Sequence, residues 1–487
     1  MDKSSSLGRS KFYDIQPTDF NNSAQQSINW ISQYLKNMDN YPVLSKSKPG
    51  EVKAQLPLHP PENPENFEKI LTDFDNIILP GITHWNHPRF FAYFSITGSY
   101  AGIIGEMLSA ALNVNGMLWK TSPSATELEE VVLDWVRQML GLPEEFDGII
   151  NDTASVGSMC AIAAAREFAG LDIREKGMAG RTDLPHITIY TSDQAHSSIE
   201  KSAIVLGIGQ RFVHKIPSNE KFEMKADVLE KQIQTDIKAG IKPICVVATV
   251  GTTSTTSIDP ISAIAALCKK HNIWLHVDAA YGGSAAVLPE IRAKFDDWEQ
   301  ADSIIVNPHK WMFTPIDCSI LYCKRPEVLK QAFSLVPEYL RTGEDDQVKN
   351  YMDYGIALGR RFRALKLWMV IRSLGTEKIK GIIKKHISFA SKLETEIKNH
   401  PDFEMLAPVP FSTLVFRFKQ DNKDDSQMND LNEKLLETVN ATGDVFLSHT
   451  KLNEKYGIRL AIGNIKTSWE DVALAWEIIQ QKTKVVN

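Results

Sequence analysis

The sequence predicts an α/β protein, and three observations carry that prediction. Helical stretches alternate with short apolar runs from about Tyr100 to Cys323. The runs, His186 to Tyr190, Ile244 to Val250, Ile273 to Val277, Ser303 to Val306 and Ser319 to Cys323, have the length and apolarity of buried strands. Most of them end on clusters rich in hydroxyl, glycine and charged residues, where an open α/β sheet presents ligand-binding groups.

At 487 residues the chain exceeds what one hydrophobic core usually serves, so more than one lobe is expected. Residues 1–90 read as an arm. An amphipathic helix from Asn22 to Met38 leads into an extended segment with Pro57, Pro60, Pro61 and Pro64, none of which suits a helix interior. Such an arm cannot bury itself; it packs on its own core or wraps a partner subunit, and homodimerisation is the favoured reading. Residues 91–375 read as the large α/β lobe. One of its helices is marked by Ser124-Ala-Thr-Glu127, which has capping-box spacing ahead of Leu128, Val131, Val132, Trp135 and Leu140. Residues 376–487 read as a smaller α+β lobe. It opens with a helix through Ile379, Ile383, Phe389, Leu393 and Ile397, followed by an alternating strand at Leu414, Phe416 and Phe418. A polar linker from Asp421 to Gln427 comes next, and a final helix follows a second capping box, Thr467-Ser-Trp-Glu470.

Composition narrows the function. The chain is 43% hydrophobic and 23% charged with a net charge of -6, ordinary for a soluble globular protein and without a basic footprint for nucleic acid. The lysines between Lys378 and Lys385 read as a solvated helix face. Cys160, Cys245, Cys268, Cys318 and Cys323 are odd in number and widely spaced, which suits reduced core residues and not a zinc site; no metal is expected. Met1 to Ser10 lacks the apolar region of a signal peptide, and no later stretch reaches about 18 consecutive apolar residues. The expectation is a cytoplasmic protein with no membrane partner.

The strand ends carry the chemistry. Ile187-Thr-Ile-Tyr190 leads to Thr191-Ser-Asp-Gln-Ala-His196, and Cys245-Val-Val-Ala leads to Thr249-Val-Gly-Thr-Thr253. Ile273-Trp-Leu-His-Val277 leads to Asp278-Ala-Ala-Tyr-Gly-Gly283, and Ile304-Ile-Val306 leads to Asn307-Pro-His-Lys310. By type and position alone Lys310 would be a surface lysine and Asp278 a turn or cap residue. Together they suggest more. A lysine among Pro308, His309 and Trp311 would be partly desolvated, which lowers its pKa and frees the amine to attack an aldehyde. A nearby buried carboxylate could then hold a pyridine nitrogen cationic, as pyridoxal phosphate requires. His196 could stack on the cofactor ring, and otherwise reads as a capping or core histidine. Asp152-Thr-Ala-Ser-Val-Gly-Ser158 opens a small-residue helix whose N-terminus could hold a phosphate, although alone it is a weak signal.

Taken together, His276-Val-Asp-Ala-Ala-Tyr-Gly-Gly-Ser, Asn307-Pro-His-Lys-Trp and Ser192-Asp-Gln-Ala-His-Ser-Ser resemble the group II pyridoxal-phosphate decarboxylases, and most closely the aromatic-L-amino-acid decarboxylases. The similarity runs from Leu79-Pro-Gly-Ile-Thr-His-Trp85 and Phe90-Phe-Ala-Tyr93-Phe94 through Gly359-Arg-Arg-Phe-Arg to the last helix. It implies the fold-type I transferase architecture: a large, mostly parallel seven-stranded sheet domain, an N-terminal dimerisation arm and a smaller C-terminal domain. It further implies a homodimer with the active site at the subunit interface. Pyridoxal 5'-phosphate would be bound as a Schiff base on Lys310, paired with Asp278 and lying under His196. Ala154, Ser155 and Asn307 look like phosphate contacts; Thr253 and Ala280 lie against the cofactor, with His309 beside it. Trp85, Tyr93, Phe94, Asn115, Met117 and Gly359 would face substrate.

The resemblance also implies a reaction, decarboxylation of an aromatic L-amino acid (tryptophan, tyrosine, phenylalanine or dopa) to its arylalkylamine and CO₂. Tyr339 matches the tyrosine of the family's mobile loop, where aldehyde synthases carry phenylalanine; a phenol can protonate a carbanion and a benzene ring cannot. The chain departs from its relatives at Asn115 and Met117, and Ser95 and Ile96 replace the more familiar Pro-Thr, so the substrate pocket is expected to be reshaped. Gly359 matches the glycine of plant tryptophan decarboxylases, where tyrosine decarboxylases carry serine. The competing readings are an aromatic aldehyde synthase, a glutamate decarboxylase, a nucleotide-binding oxidoreductase and a non-catalytic relative. A nucleotide-binding oxidoreductase would carry an early Gly-x-Gly-x-x-Gly, which this chain lacks, and a non-catalytic relative would be expected to have lost Lys310, Asp278 or Tyr339, all of which are present.

Overall fold

The computed structural model describes residues 14–295, 297–335 and 340–486. The large sheet holds seven strands: β1 (Asp147–Asn151), β2 (Ile187–Ser192), β3 (Val213–Ile216), β4 (Lys242–Thr249), β5 (Trp274–Asp278), β6 (Ser303–Val306) and β7 (Ser319–Cys323). Their spatial order is β1-β7-β6-β5-β4-β2-β3. Strands β2 to β6 run parallel, while β7 is antiparallel to both β6 and β1. This is the mostly parallel seven-stranded α/β sheet expected of the fold. All five apolar runs became strands. Both β1 and β3, which the periodicity did not single out, are edge strands: β1 has polar ends, and in β3 His214 and Lys215 interrupt the buried positions. Water on one side relaxes the demand for an apolar run.

The parallel strands end together because right-handed helical crossovers return each chain segment to the same edge. The β4-to-β5 crossover, for example, is the helix Ile261–His271, closed by Asn272 in the left-handed conformation. The carboxyl edge of the sheet therefore gathers the segments after β2, β4, β5 and β6 into one region.

The second sheet is antiparallel, in the order β10 (Ser448–Leu452), β11 (Lys455–Ala461), β9 (Thr413–Phe418), β8 (Phe403–Met405), with its own apolar cluster. A long helical stretch, Arg363–Asn399, links it to the large sheet and is broken at Gly375, where φ is +71°. A glycine accepts that conformation without steric cost.

Several local expectations shift. The first helix runs from Pro17 to Lys36 and has no buried residue. The large-lobe helix is capped by Ser122, whose side chain accepts from Ala125 N, with Pro123 at its first position; Ser124 lies already inside it. Proline preset for the first turn explains the earlier start. The last helix begins after Ser468, whose backbone N–H donates to Asp471, one residue beyond the expected Thr467–Glu470 pair; the Thr467 hydroxyl instead donates to the Pro88 carbonyl. The Asp421–Gln427 linker is half helix, since Asp424 and Gln427 form a complete capping box for Asp425–Asn440. The strand at Leu414 is buried along its whole length and does not alternate; Arg417 is kept inside by pairing with Glu404 and Asp425. Among the described residues no helix is long and apolar enough to cross a membrane, and no cluster of His, Cys, Asp or Glu is placed to hold a metal ion.

Candidate active site

The carboxyl edge of the large sheet encloses a cavity of about 180 Å³. Phe94, Thr153, Ala154, Ser155, His196, Ser198, Thr249, Gly251, Thr253, Asp278, Ala280, Tyr281, Asn307, His309 and Lys310 line it. Two larger grooves elsewhere, about 900 and 980 Å³, are open; the lysine of the first, Lys349, is ion-paired with Asp147 at the amino end of β1, away from the carboxyl edge of the sheet. Chemistry, not volume, selects the smaller cavity.

Asp278 is the last residue of β5, in register with Thr249 on β4 and Ile305 on β6. It is 6% exposed, and its Oδ1 accepts a hydrogen bond from Ala280 N at 3.1 Å. Lys310 stands on the one-turn helix Pro308–Trp311 that follows β6, with its Nζ 5.3 Å from the centre of the Phe94 ring. Withdrawal from water lowers the Lys310 pKa, the Asp278 carboxylate opposes that shift, and the Arg459 guanidinium adds to it. Phe94 is fixed in turn by an aromatic column: its ring stacks on Tyr281 at 3.9 Å, and Tyr281 stacks on Trp311 at 4.6 Å.

His196 lies at the rim of the cavity, where its Nδ1 accepts from Ser198 N at 3.2 Å and meets Ser198 Oγ at 2.8 Å. Partial withdrawal from water lowers its pKa, with Asp278 opposing. His309 is buried and held neutral. Its Nδ1 accepts from Cys318 N at 2.9 Å, and burial, with Lys310 next to it, pushes its pKa down to about 3. Asn307 is buried; its Oδ1 accepts from Ser319 Oγ at 2.6 Å. Ala154 and Ser155 begin the helix Ala154–Phe168, and the capping residue Thr153 makes no side-chain capping bond. That leaves first-turn N–H groups and the helix dipole facing the cavity, a ready anion site. An amine, a carboxylate and an anion-holding helix end in one small cavity are the donor set that pyridoxal phosphate needs.

The substrate-facing candidates separate into three groups. Phe94 is in the cavity wall. Trp85 and Tyr93 stack on each other at 5.7 Å, and Tyr93, 54% exposed, takes a φ of +51°. Asn115, Met117 and Gly359 meet one another: Asn115 Nδ2 donates to Met117 Sδ at 3.4 Å, Asn115 Oδ1 accepts from Arg360 N, and Gly359 abuts the Asn115 amide. Neither these three nor Trp85 and Tyr93 line the cavity. Tyr339 lies outside the described residues.

Sequence reasoning passed over Thr249, Tyr281 and Arg459. The first two stand inside the strand-end motifs and were available to it. Arg459 was not, because it lies on β11 of the small sheet and reaches the site only through tertiary docking. Its Nε donates to the carbonyls of Thr253 and Ser254, both at 3.1 Å, and its Nη1 to that of Tyr93, so it ties three chain segments together.

The model of the pyridoxal-dependent decarboxylase conserved domain matches residues 49–419. The chain belongs to the pyridoxal-dependent decarboxylase family. It is 39% identical to a tyrosine decarboxylase of Papaver somniferum, over 97% of this chain and 96% of that one. It is 38% identical to a phenylacetaldehyde synthase of a Rosa hybrid cultivar, over 97% and 95%. Among solved structures, Catharanthus roseus tryptophan decarboxylase in complex with L-tryptophan superposes with a TM-score of 0.91 at 36% identity, covering 98% of this chain and all of that one. This pyridoxal-phosphate decarboxylase thus has the seven-stranded α/β architecture and the cofactor that its strand-end motifs imply.

Proposed function

We propose that the chain decarboxylates an aromatic L-amino acid to the corresponding arylalkylamine, with pyridoxal 5'-phosphate linked to Lys310. One observation carries this reading: Lys310, Asp278 and an uncapped helix N-terminus converge in a single cavity. The aromatic substrate class follows from the tyrosine- and tryptophan-acting relatives. When bound, pyridoxal phosphate supplies the electron sink for the pair left behind by departing CO₂.

The chain's own residues do the rest. Withdrawal from water lowers the Lys310 pKa and so raises the share of its free, nucleophilic amine. Asp278 holds a proton on the ring nitrogen. Ser155, the N–H groups at Ala154 and the Asn307 side chain bind the phosphate, with Thr253, Ala280 and His309 packed around the cofactor. His196 covers one ring face and orients the substrate carboxylate. Tyr339 returns a proton to the substrate carbon, directly or through a water. Trp85, Tyr93 and Phe94 supply the aromatic wall.

Asn115, Met117 and Gly359 enter this reading from a second copy of the chain. The helix Tyr100–Leu112 presents Tyr100, Ile104, Met107, Leu108 and Leu112 to solvent, each between 38% and 59% exposed, and the arm presents Phe20 and Ile28. A patch of this size suits a subunit interface. Residues 1–90 then act as the dimerisation arm, 91–375 hold the cofactor, and 376–487 brace its edge through Arg459. The five unpaired, buried cysteines suit a reducing cytoplasm.

The test has two parts. Borohydride reduction of the holoenzyme followed by peptide mapping is expected to label Lys310; a label elsewhere overturns the assignment. Incubation with tyrosine, tryptophan, phenylalanine, dopa and 5-hydroxytryptophan is expected to yield CO₂ and an arylalkylamine from at least one of them, and incubation with glutamate is expected to yield neither. Oxygen uptake with peroxide would instead mark the aldehyde synthase reading, which the Rosa relative motivates and Tyr339 disfavours.

A further inference from the structure

Thr249 ends β4 beside Asp278, the two being direct partners in the strand register. Its neighbours Ala248 and Val250 are fully buried in the main apolar cluster. Alternation along the strand therefore turns the Thr249 side chain to the opposite face, the one that Asp278 presents, and Thr249 lines the cavity. Its backbone is held rigidly: Thr249 N donates to Asp259 Oδ2 at 2.8 Å, and Thr249 O accepts from Asp259 N at 2.9 Å. Asp259 is itself anchored by Met224 N at 2.7 Å.

The hydroxyl is the exception in its surroundings. In the loop that follows, Thr252 Oγ1 meets Thr255 Oγ1 at 3.0 Å, Thr255 Oγ1 meets Ser257 Oγ at 2.8 Å, and Ser257 Oγ donates to Lys221 O at 2.7 Å. Thr256 Oγ1 donates to Thr255 O. Thr249 Oγ1, in a residue only 4% exposed, has no partner among the described residues. A buried hydroxyl held beside a strand-end carboxylate, next to a loop whose buried hydroxyls are all paired, calls for a ligand.

We propose that Thr249 is a further cofactor-binding residue, whose hydroxyl forms its hydrogen bond at the ring edge of pyridoxal phosphate held by Asp278. The inference rests on the reading of Lys310 and Asp278 given above. It makes two demands of opposite sign. Replacing the hydroxyl by a methyl group of the same shape removes an unpaired polar atom from the interior, so Thr249→Val should not destabilise the cofactor-free chain. The same change should weaken cofactor binding by about tenfold, the ratio one hydrogen bond commonly supplies.

The experiment titrates full-length chains with pyridoxal phosphate, followed by absorbance, and compares thermal unfolding with and without cofactor. Thr249→Val is expected to raise the dissociation constant about tenfold, with an unfolding temperature without cofactor equal to or above that of the unaltered chain. Thr249→Ser, which keeps the hydroxyl, is expected to stay close to the original affinity. Unchanged affinity in the valine variant overturns the proposal. So does a serine variant as weak as valine, which would assign the effect to the lost methyl group, or a valine variant already destabilised without cofactor, which would assign the hydroxyl a protein partner. An unaltered chain that takes up no pyridoxal phosphate on Lys310 overturns the underlying reading and this proposal together. Normal labelling of Lys310 alongside an indifferent valine variant overturns this proposal alone.

Discussion

The cavity at the strand ends and the turn around Met117 were both expected to face substrate, yet they are built in opposite ways. The cavity draws Asp278, Lys310, His196 and Ala154 from four segments scattered along the large lobe and locks each against the sheet. The Asn115–Met117 turn pairs with Gly359 and Arg360 and packs through Met117, Leu118, Leu340 and Met352, without reaching the cavity. Parallel strands converge by topology, so their ends need no second chain to meet. The turn has no such constraint, and in the proposed dimer it completes the cavity of the other copy.

If the cavity is a self-contained chemical unit, the largest effect belongs to its charge pair. On the proposed reading, Asp278→Ala should lower kcat/KM on the order of 10³-fold, since the ring nitrogen of bound pyridoxal phosphate would lose the carboxylate that keeps it protonated. The protein should still fold, and cofactor absorbance and activity would be measured together. Wild-type turnover in that variant would break the role given to the carboxylate. Next comes Tyr339→Phe. Loss of the proton donor should slow amine formation about 10²-fold and open the route to aldehyde with oxygen consumption. An unaltered amine yield without peroxide would remove Tyr339 from the chemistry.

The comparison between cavity and turn is sharpened by mixing chains. A Lys310→Ala chain has an intact turn but a dead cavity, and a Met117→Arg chain has an intact cavity behind a disrupted turn. Alone, the Met117→Arg chain should be at least about tenfold impaired, as burying an unpaired charge costs several kcal/mol, and the Lys310→Ala chain should be inactive for want of its amine. Co-expressed, the two should regain activity, because one of the two sites in a mixed dimer then carries both wild-type halves. Mixed chains no more active than the single variants would place the turn on its own chain's site, or outside the site altogether.

The same contrast explains what could be read from the sequence. The five central strands were legible because burial on both faces demands unbroken apolar runs, whereas β1 and β3 escaped notice because an edge relaxes that demand. The meeting of Asp278, Lys310 and His196 was legible because each ends or closely follows a strand, and in a parallel sheet strand ends share one edge. Thr249 stood in a quoted motif, but threonine is common at strand ends, and only the pairing of the buried hydroxyls in the following loop sets it apart. Arg459 gave no local signal, since its partners Thr253, Ser254 and Tyr93 are brought to it by the docking of the small sheet. The helix starts at Ser122 and Ser468 were displaced from expectation because several residues of each serine- and threonine-rich stretch could cap; in the fold the Ser122 side chain accepts from Ala125 N, and Ser468 N–H donates to Asp471.

The smallest expected effect concerns how the cavity is held together. His276, two residues before Asp278, ties β5 to β6 and to the helix Ala154–Phe168: its Nδ1 meets Ser303 Oγ at 2.9 Å and its Nε2 meets Ser158 Oγ at 3.0 Å. Burial pushes its pKa down to about 4 from the ordinary 6.5. An imidazole that protonates less readily when folded makes the unfolded chain the stronger proton binder between those values. Stability should therefore be complete above pH 6.5 and decline as pH falls toward 4, by at most about 1.4 kcal/mol per pH unit from this one group. The Met117 turn contains no buried imidazole of this kind, so its packing gives no reason for acid sensitivity. His276→Gln can keep a hydrogen bond to one serine and cannot titrate. Its urea midpoint should start lower than wild type at pH 7 and fall less steeply on acidification. Parallel curves for the two proteins would show that acid loosens the fold elsewhere, at His309 or at His386, whose pKa values are likewise pushed down to about 3.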